Sequence, residues 1–258
     1  MTEGPRHIVV TGAGSGIGQA IALRFAQSGE KLSLLGRRIE ALETTAKQAK
    51  EAGASSVLTR SCDIRQQKLV EQCFDELAQE NGPIHVFVAN SGIGGPNDAG
   101  PNDRFDDIIA TNVNGTYYCL RAAQKHLAKG PTLRHLLVIS SILARFGVPA
   151  YTGYCASKTA LLGLVRALSL EVATDNIQVN ALCPGWVDTA MARLGIDAMA
   201  EAMGITHDDA YAEAMKAVPT GRMSQPEEIA NVIAWMASEG ARGMTGQAMD
   251  VNNGAYMI

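Results

Sequence analysis

The stretch Thr11-Gly12-Ala13-Gly14-Ser15-Gly16-Ile17-Gly18 places four glycines in eight residues, directly after the apolar run His7-Ile8-Val9-Val10. Each glycine costs backbone entropy on folding, so this density answers a geometric demand. An apolar run, a glycine-rich turn and an amphipathic segment over Gln19–Gln27 read as strand, turn and helix. Such a turn lets backbone N–H groups approach a pyrophosphate at the helix N-terminus, where the helix dipole also favours an anion. Gly12, Gly16 and Gly18 are spaced G-x-x-x-G-x-G, which differs from the common G-x-G-x-x-G dinucleotide fingerprint. The same glycines would also serve close packing of helix on strand.

The rhythm continues outward from this turn. Residues 7–10, 31–35, 55–61, 85–89, 135–140, 177–182 and 248–251 read as short buried strands. Helical patterns such as Gln19–Gln27, Ile39–Ala52 and Gln67–Glu80 lie between the first six. Strict alternation of strand and helix predicts an α/β fold of the Rossmann type, a parallel sheet covered on both faces in three layers. No Pro/Ser linker, repeat or low-complexity run interrupts it, so residues 1–258 are expected to form a single domain. Residues 92–104, rich in Gly, Pro, Asn and Asp, read as a loop beyond the fourth strand.

Composition narrows the function. The formal net charge is −4 and no Lys/Arg run is visible, so nucleic acid is not an expected partner. No apolar run reaches the roughly 18–20 residues of a membrane span. The five cysteines show no CxxC pair and no metal spacing, which suits small buried hydrophobes in a reducing compartment. The first residues run straight into the first strand, which reads as a chain without a secretory signal and predicts a cytoplasmic location.

Two short patterns suggest chemistry. A dinucleotide site of this kind expects an acid at the tip of the second strand, to bind the ribose hydroxyls. This chain has Gly36-Arg37-Arg38 there. Guanidiniums at that tip would be bidentate donors to a 2′-phosphate, so the pair points to NADP(H), although Arg pairs are also ordinary surface residues. At 154–158 the chain reads Tyr-Cys-Ala-Ser-Lys within a helical run, Tyr151–Ala173. Tyr154 and Lys158, four apart, share a face, and an ammonium beside a phenol favours phenolate. Tyr154 could then exchange a proton with an alcohol oxygen. A lone YxxxK also arises by chance on many helices.

Taken together these residues resemble the short-chain dehydrogenase/reductase family over essentially the whole chain. The resemblance rests on 11–18, "CDI" at 62–64, "ANSG" at 89–92, "TNVNG" at 111–115, "VISS" at 138–141, "YCASK" at 154–158, "NALCPGWVDT" at 180–189 and "TGQAMDVNNG" at 245–254. It implies a seven-stranded sheet and a catalytic set of Asn112, Ser141, Tyr154 and Lys158, with Ser140 and Tyr151 as nearby decoys. Tyr154 would give the proton, Ser141 would hydrogen-bond the carbonyl oxygen, Lys158 would bind the nicotinamide ribose, and Asn112 would hold a relay water. The same carry-over assigns cofactor contacts to Gly12, Ser15, Gly16, Ile17 and Gly18, and to Asp63 and Ile64 at the adenine. Asn90 and Gly92 would line the cofactor path, and Pro184, Gly185, Val187 and Thr189 would hold the carboxamide end. The departures are Ala89-Asn90-Ser91-Gly92 for the usual "NNAG" and Asn252-Asn253-Gly254 for the usual "DGG".

Residues 188–219 form an insertion beyond the sixth strand, where ligand crevices of open α/β sheets lie, and read as a substrate lid. Its Met191, Met199, Met203 and Met215 suit either core filling or a pliable apolar wall. Trp186, Phe146 and Tyr151 would add apolar wall. A ketone on a β-ketoacyl or polyketide-like compound is the expected substrate class, and His207-Asp208-Asp209 keep small diols, hydroxyacids or sugars open. A dinucleotide-sensing protein would be expected to have a degraded catalytic set, and this one is complete. An acyl carrier protein is an open partner: Lys125, Lys129 and Arg134 are nearby positives, but Asp175 stands where a base often does. Leu161, Leu162, Leu164, Val165, Leu168 and Leu170 surround the helix that carries Tyr154, which predicts self-association, and the resemblance implies a homotetramer.

Overall fold

The computed structural model describes residues 4–97 and 99–257. Met1–Glu3, Asp98 and Ile258 lie outside them, so the reading of the chain start and one position of the 92–104 loop cannot be compared.

The first half builds β1 (His7–Thr11), α1 (Gly16–Ala26), β2 (Lys31–Gly36), α2 (Ile39–Glu51), β3 (Ser56–Ser61), α3 (Gln67–Asn81) and β4 (Val86–Ala89). There follow α4 (Phe105–Ile109), a π-helical turn over Ala110–Gly115, α5 (Thr116–Lys125) and β5 (Arg134–Ile139). Next come α6 (Thr152–Val172), β6 (Ile177–Pro184), α7 (Ala190–Met203), α8 (His207–Met215), α9 (Pro226–Met236) and β7 (Ala248–Val251). The seven strands pair in the order β3-β2-β1-β4-β5-β6-β7, all parallel. The expected strands are all present, with ends shifted by one or two residues. β3 and β7 are half-buried rather than buried, because they are the sheet's edges.

Each sheet face has its own core. Val9, Phe87, Leu136 and Val179 meet α3, α5 and α6 on one side. Ile8, Val10, Val88 and Leu137 meet α1, α2 and α9 on the other. Side chains alternate between faces along each strand, so a strand buried on both faces must be apolar throughout. The order reverses between β1 and β4, and the strand C-termini open a crevice at that switch point.

The insertion folds as a pair of helices with a small core of its own, including Ile196, Ala210, Met215 and Val218. Thr189 Oγ1 caps α7 by accepting from Ala192 N, and Thr206 Oγ1 caps α8 by accepting from Asp209 N. The lid methionines divide: Met215 fills that core, Met199 flanks it, and Met191 and Met203 stay largely exposed.

Two sequence expectations need correction. Arg134 is buried rather than a surface positive, because its guanidinium donates to the carbonyls of Gly130, Thr132 and Asp175. The leucines of α6 do not ring the helix. Leu161, Leu162, Val165 and Leu168 are buried against β6 and its neighbours, Leu164 is half-buried, and only Leu170 projects, 82% exposed. The outer face carries the small residues Ala156, Ala160, Gly163 and Ala167 with Leu170, among the polar Thr152, Thr159, Arg166 and Glu171. No helix of the described residues is long and apolar enough to cross a membrane.

Candidate functional site

The glycine turn is shaped first by protein neighbours. A Cβ on Gly18 would collide with the Gly12 carbonyl and stand 2.5 Å from Asn90 Nδ2. Gly12 has φ +66°, and a Cβ there would lie 2.8 Å from the same nitrogen. Asn90 Nδ2 donates to the Thr11 and Gly12 carbonyls at 3.0 and 3.3 Å. Asn90 thus fixes the turn that leads into α1. The Thr189 methyl packs on Gly16, so the end of the "PGWVDT" segment meets the same turn. No acid stands in the first turn of α1, and the Ser15 side chain is not spent on capping it. A helix N-terminus of positive potential with close-approaching backbone is the cradle a pyrophosphate requires, and these residues fit one.

At the tip of β2, Arg37 and Arg38 are both exposed, and neither forms an ion pair among the described residues. Arg65 instead chelates Asp63, with Nη2 at 2.7 Å from Oδ2 and Nε at 3.0 Å from Oδ1. Those bonds hold the Asp63 carboxyl below its ordinary range. The Ile64 side chain lies in the core, and both it and the Ile64 carbonyl pack against Gly115. A 2′-phosphate would therefore find two uncommitted guanidiniums with no carboxylate at the strand tip.

The four candidate catalytic residues come from three elements that end at this crevice. Asn112 sits in the π-helical turn, a geometry that recurs at functional sites. Its Oδ1 accepts from Ile93 N at 2.8 Å, and its Nδ2 donates to Ile93 O at 2.9 Å and Ser157 Oγ at 3.0 Å. Asn112 thereby ties the loop after β4 to α6. Ser141 follows β5, and its Oγ accepts from Leu143 N at 3.1 Å. The decoy Ser140 instead donates to Lys158 O at 2.9 Å, tying β5 to α6.

Tyr154 and Lys158 lie one turn apart on α6, with Lys158 Nζ 5.6 Å from the Tyr154 ring centre. Lys158 is buried and donates to Ile139 O at 3.0 Å. Burial brings its ammonium down to about 8. Burial pushes the Tyr154 phenol above its ordinary value, while a hydrogen bond with Ser141 pulls it back in part. The sequence expectation that Lys158 would lower this phenol is therefore not the dominant effect. At neutral pH the proton rests on Tyr154, which suits donation to a carbonyl oxygen. Tyr151 stands edge-on to Tyr154, with ring centres 6.5 Å apart.

The lid reaches this centre through Met191. A Cβ on Gly94 would lie 3.1 Å from Met191 Sδ and 3.6 Å from Tyr154 Cε2, so α7 and the loop after β4 meet beside the phenol. Trp186 packs on Gly195 of α7. His207 bonds Asp197 at 2.7 Å and Asp209 bonds Thr206, so these polar groups hold α7 and α8 rather than line the crevice. Asn252 and Asn253 shape the C-terminal turn: Asn252 Nδ2 donates to Tyr256 O, and Asn253 Nδ2 donates to Arg222 O and Ser224 Oγ.

Asn97 is a supporting residue that the sequence reading passed over as loop filler. Its Oδ1 accepts from Gly153 N at 2.8 Å and its backbone N–H donates to Ala150 O, which seats the start of α6 just before Tyr154. The available signal was an Asn in a loop upstream of a helix that lacks its own capping side chain, since Tyr151 at the cap position offers none.

A family model described as "Enoyl-(Acyl carrier protein) reductase" matches residues 12–256. The 3-oxoacyl-(acyl-carrier-protein) reductase FabG of Pseudomonas aeruginosa is 34% identical over 254 residues, covering 96% of both chains. The 2-(R)-hydroxypropyl-CoM dehydrogenase of Xanthobacter autotrophicus is 30% identical over 257 residues, covering 97% of this chain and 98% of its own. Among solved structures, a single-residue variant of actinorhodin polyketide ketoreductase with NADPH superposes with a TM-score of 0.91. It is 32% identical and covers 97% of each chain.

Proposed function

This chain belongs to the short-chain dehydrogenase/reductase family, and from that premise we propose that it is an NADP(H)-dependent reductase interconverting a ketone and a secondary alcohol on ketoacyl or polyketide-like substrates. The observation that carries the reading is the meeting of Tyr154, Lys158 and Met191 at one crevice, with Lys158 Nζ 5.6 Å from the phenol ring centre and Met191 and Tyr154 both against Gly94.

NADPH, when bound, supplies the hydride. The turn from Gly12 through Gly18 would hold its pyrophosphate, Arg37 and Arg38 its 2′-phosphate, and Pro184, Gly185, Val187 and Thr189 its carboxamide end. Asp63 and the Ile64 backbone would border the adenine, with Asn90 and Gly92 along the path between. Ser141 donates a hydrogen bond to the substrate oxygen and orients it, while Tyr154 delivers a proton to that oxygen. Lys158 offsets the negative charge then left on Tyr154, and Asn112 keeps the 91–95 loop in register with α6. The lid over 188–219 belongs to the same single domain and excludes water through Met191 and Trp186.

The test is kcat/KM, read from NADPH oxidation, across β-ketoacyl thioesters, bicyclic ketones and small diols or ketoses. The ketoacyl or bicyclic ketones should lead, and a clear win for diols or ketoses would overturn the reading. Arg37→Asp should lower kcat/KM with NADPH about tenfold or more, since one charge-assisted bond contributes roughly 1.5–3 kcal/mol. Unchanged NADPH kinetics would show that Arg37 is surface only.

The same reading extends to assembly and location. The Ala156, Ala160, Gly163, Ala167 and Leu170 face of α6 supports self-association through close backbone approach, with a homotetramer as the expected state. Sedimentation at micromolar concentration should give a species well above the 27.3 kDa of one chain. Five free cysteines, four of them buried, support a cytoplasmic setting, where an acyl carrier protein would deliver thioester substrates.

A further inference from the structure

The turn that carries Ser141 leaves β5 through a short 3₁₀ segment, Ile142–Ala144, and ends at Arg145. Inside the turn, Ser141 Oγ accepts from Leu143 N, and Arg145 N donates to Ile142 O at 2.9 Å. Its far end is tied across the sheet. Arg145 Nε donates to Asp250 Oδ1 at 3.1 Å, and Nη2 donates to Asp250 Oδ2 at 3.0 Å and to Ala248 O at 2.9 Å. Asp250 lies on β7 beside Cys183 of β6, and the pair is largely buried, 13% and 17% exposed. The next residue, Phe146, places its ring 5.6 Å from that of Tyr256 in the C-terminal tail.

We propose that the Arg145–Asp250 pair is a positioning clamp for Ser141, setting where its hydroxyl stands relative to Tyr154 and the substrate oxygen. The clamp rests on the role given to Ser141 above. A two-bond guanidinium–carboxylate contact fixes angle as well as distance, which a single lysine contact does not. Beside it the turn is held by the buried Ile142, by the packing of Phe146 on Tyr256 and by a long bond, 3.3 Å, from Thr159 Oγ1 to Ala144 O. The clamp is the one bidentate ion pair among these holds, so its loss should let Ser141 shift, and a displacement near 1 Å at a reacting group costs about 10²-fold in rate. Asp250 pairs with Cys183, one residue before the Pro184-Gly185 turn assigned to the carboxamide end, so NADPH affinity is read beside kcat to separate cofactor binding from the chemical step. Arg145 and Asp250 are thus positioning residues acting through Ser141.

The experiment compares Arg145→Met, Arg145→Lys and Asp250→Asn, each alone and combined with Ser141→Ala. It uses the full chain, with NADPH and a bicyclic ketone as probe. Arg145→Met should lower kcat by about 10- to 100-fold. The NADPH Kd from fluorescence titration should stay unchanged, and Arg145→Lys should recover part of the loss. KM for the ketone should change far less than kcat, because Ser141 is displaced while the wall at Met191 stays. In the Ser141→Ala background the same changes should add almost nothing, as groups acting as one unit do not multiply. Fully multiplicative losses, or a KM that rises as much as kcat falls, would overturn the clamp while leaving the catalytic assignment standing. Wild-type turnover in Ser141→Ala itself would overturn that assignment and the clamp with it. If Arg145→Met does not fold, the isosteric Asp250→Asn decides by the same criteria.

Discussion

Tyr154→Phe is expected to lower kcat for ketone reduction on the order of 10³-fold, within the range that a positioned general acid contributes. The ring stays and only the hydroxyl leaves, so the wall beside Met191 and Gly94 keeps its shape. NADPH affinity, measured by fluorescence titration, should stay within error of wild type. The neighbouring Tyr151 provides the control. Its ring meets Tyr154 edge-on at 6.5 Å, so Tyr151→Phe preserves that contact and should change kcat little. A dead Tyr151→Phe beside an active Tyr154→Phe would reassign the acid. The pH dependence follows from the burial of the pair. Tyr154 holds its proton through neutral pH, so the limb nearest neutrality belongs to Lys158, whose ammonium titrates near about 8. Reduction by the wild type should therefore be level below pH 7 and decline as pH rises through that value.

Most of what positions this centre is local in sequence, and it could be read there. Strand, glycine turn and helix adjoin one another at 7–26, and Tyr154 and Lys158 are one helical turn apart. What escaped reading depends on contacts between distant segments. Arg145 and Asp250 are 105 positions apart, and nothing beside either residue announces the other. Arg134 looked like a surface base because its partners are carbonyls, which leave no mark on a pattern of side chains. Asn97 looked like loop filler for the opposite reason, because Asn suits turns in general and only the placement of Gly153 N reveals its task. The apolar residues of α6 misled through their number: a 21-residue helix against a sheet buries most of its leucines on one face, leaving Leu170 with small and polar residues outside.

The second large effect concerns stability in acid, and it originates at the N-terminal ends of the inner strands β1 and β5, opposite the crevice. His7 and His135 are each 1% exposed, and burial depresses both to about 4. His7 is satisfied as a neutral ring. Its Nδ1–H can donate to Gly82 O at 2.7 Å while its Nε2 accepts from Ser33 Oγ at 2.7 Å. His135 has no partner at Nδ1, so a second proton there would be a buried unpaired donor. The charges of His85 and Lys31 facing His7, and of Arg6 facing His135, oppose protonation further, with only Glu239 acting the other way on His135. Both groups titrate lower in the folded chain than the ordinary 6.5, so between about pH 6.5 and 4 the unfolded chain binds more protons. Stability is fully present above that window and is lost as pH falls through it, on the order of 3 kcal/mol for each histidine. Carboxylate effects begin lower. Glu228, held at about 2 chiefly by Arg222, yields its share only below its ordinary 4.5. Urea unfolding at pH 7.5, 6 and 5 should show the midpoint falling steeply in the wild type. The slope should flatten in His7→Gln and His135→Leu, and most in the double variant. Equal wild-type midpoints at pH 7.5 and 5, or an undiminished slope in the double variant, would place the acid sensitivity elsewhere.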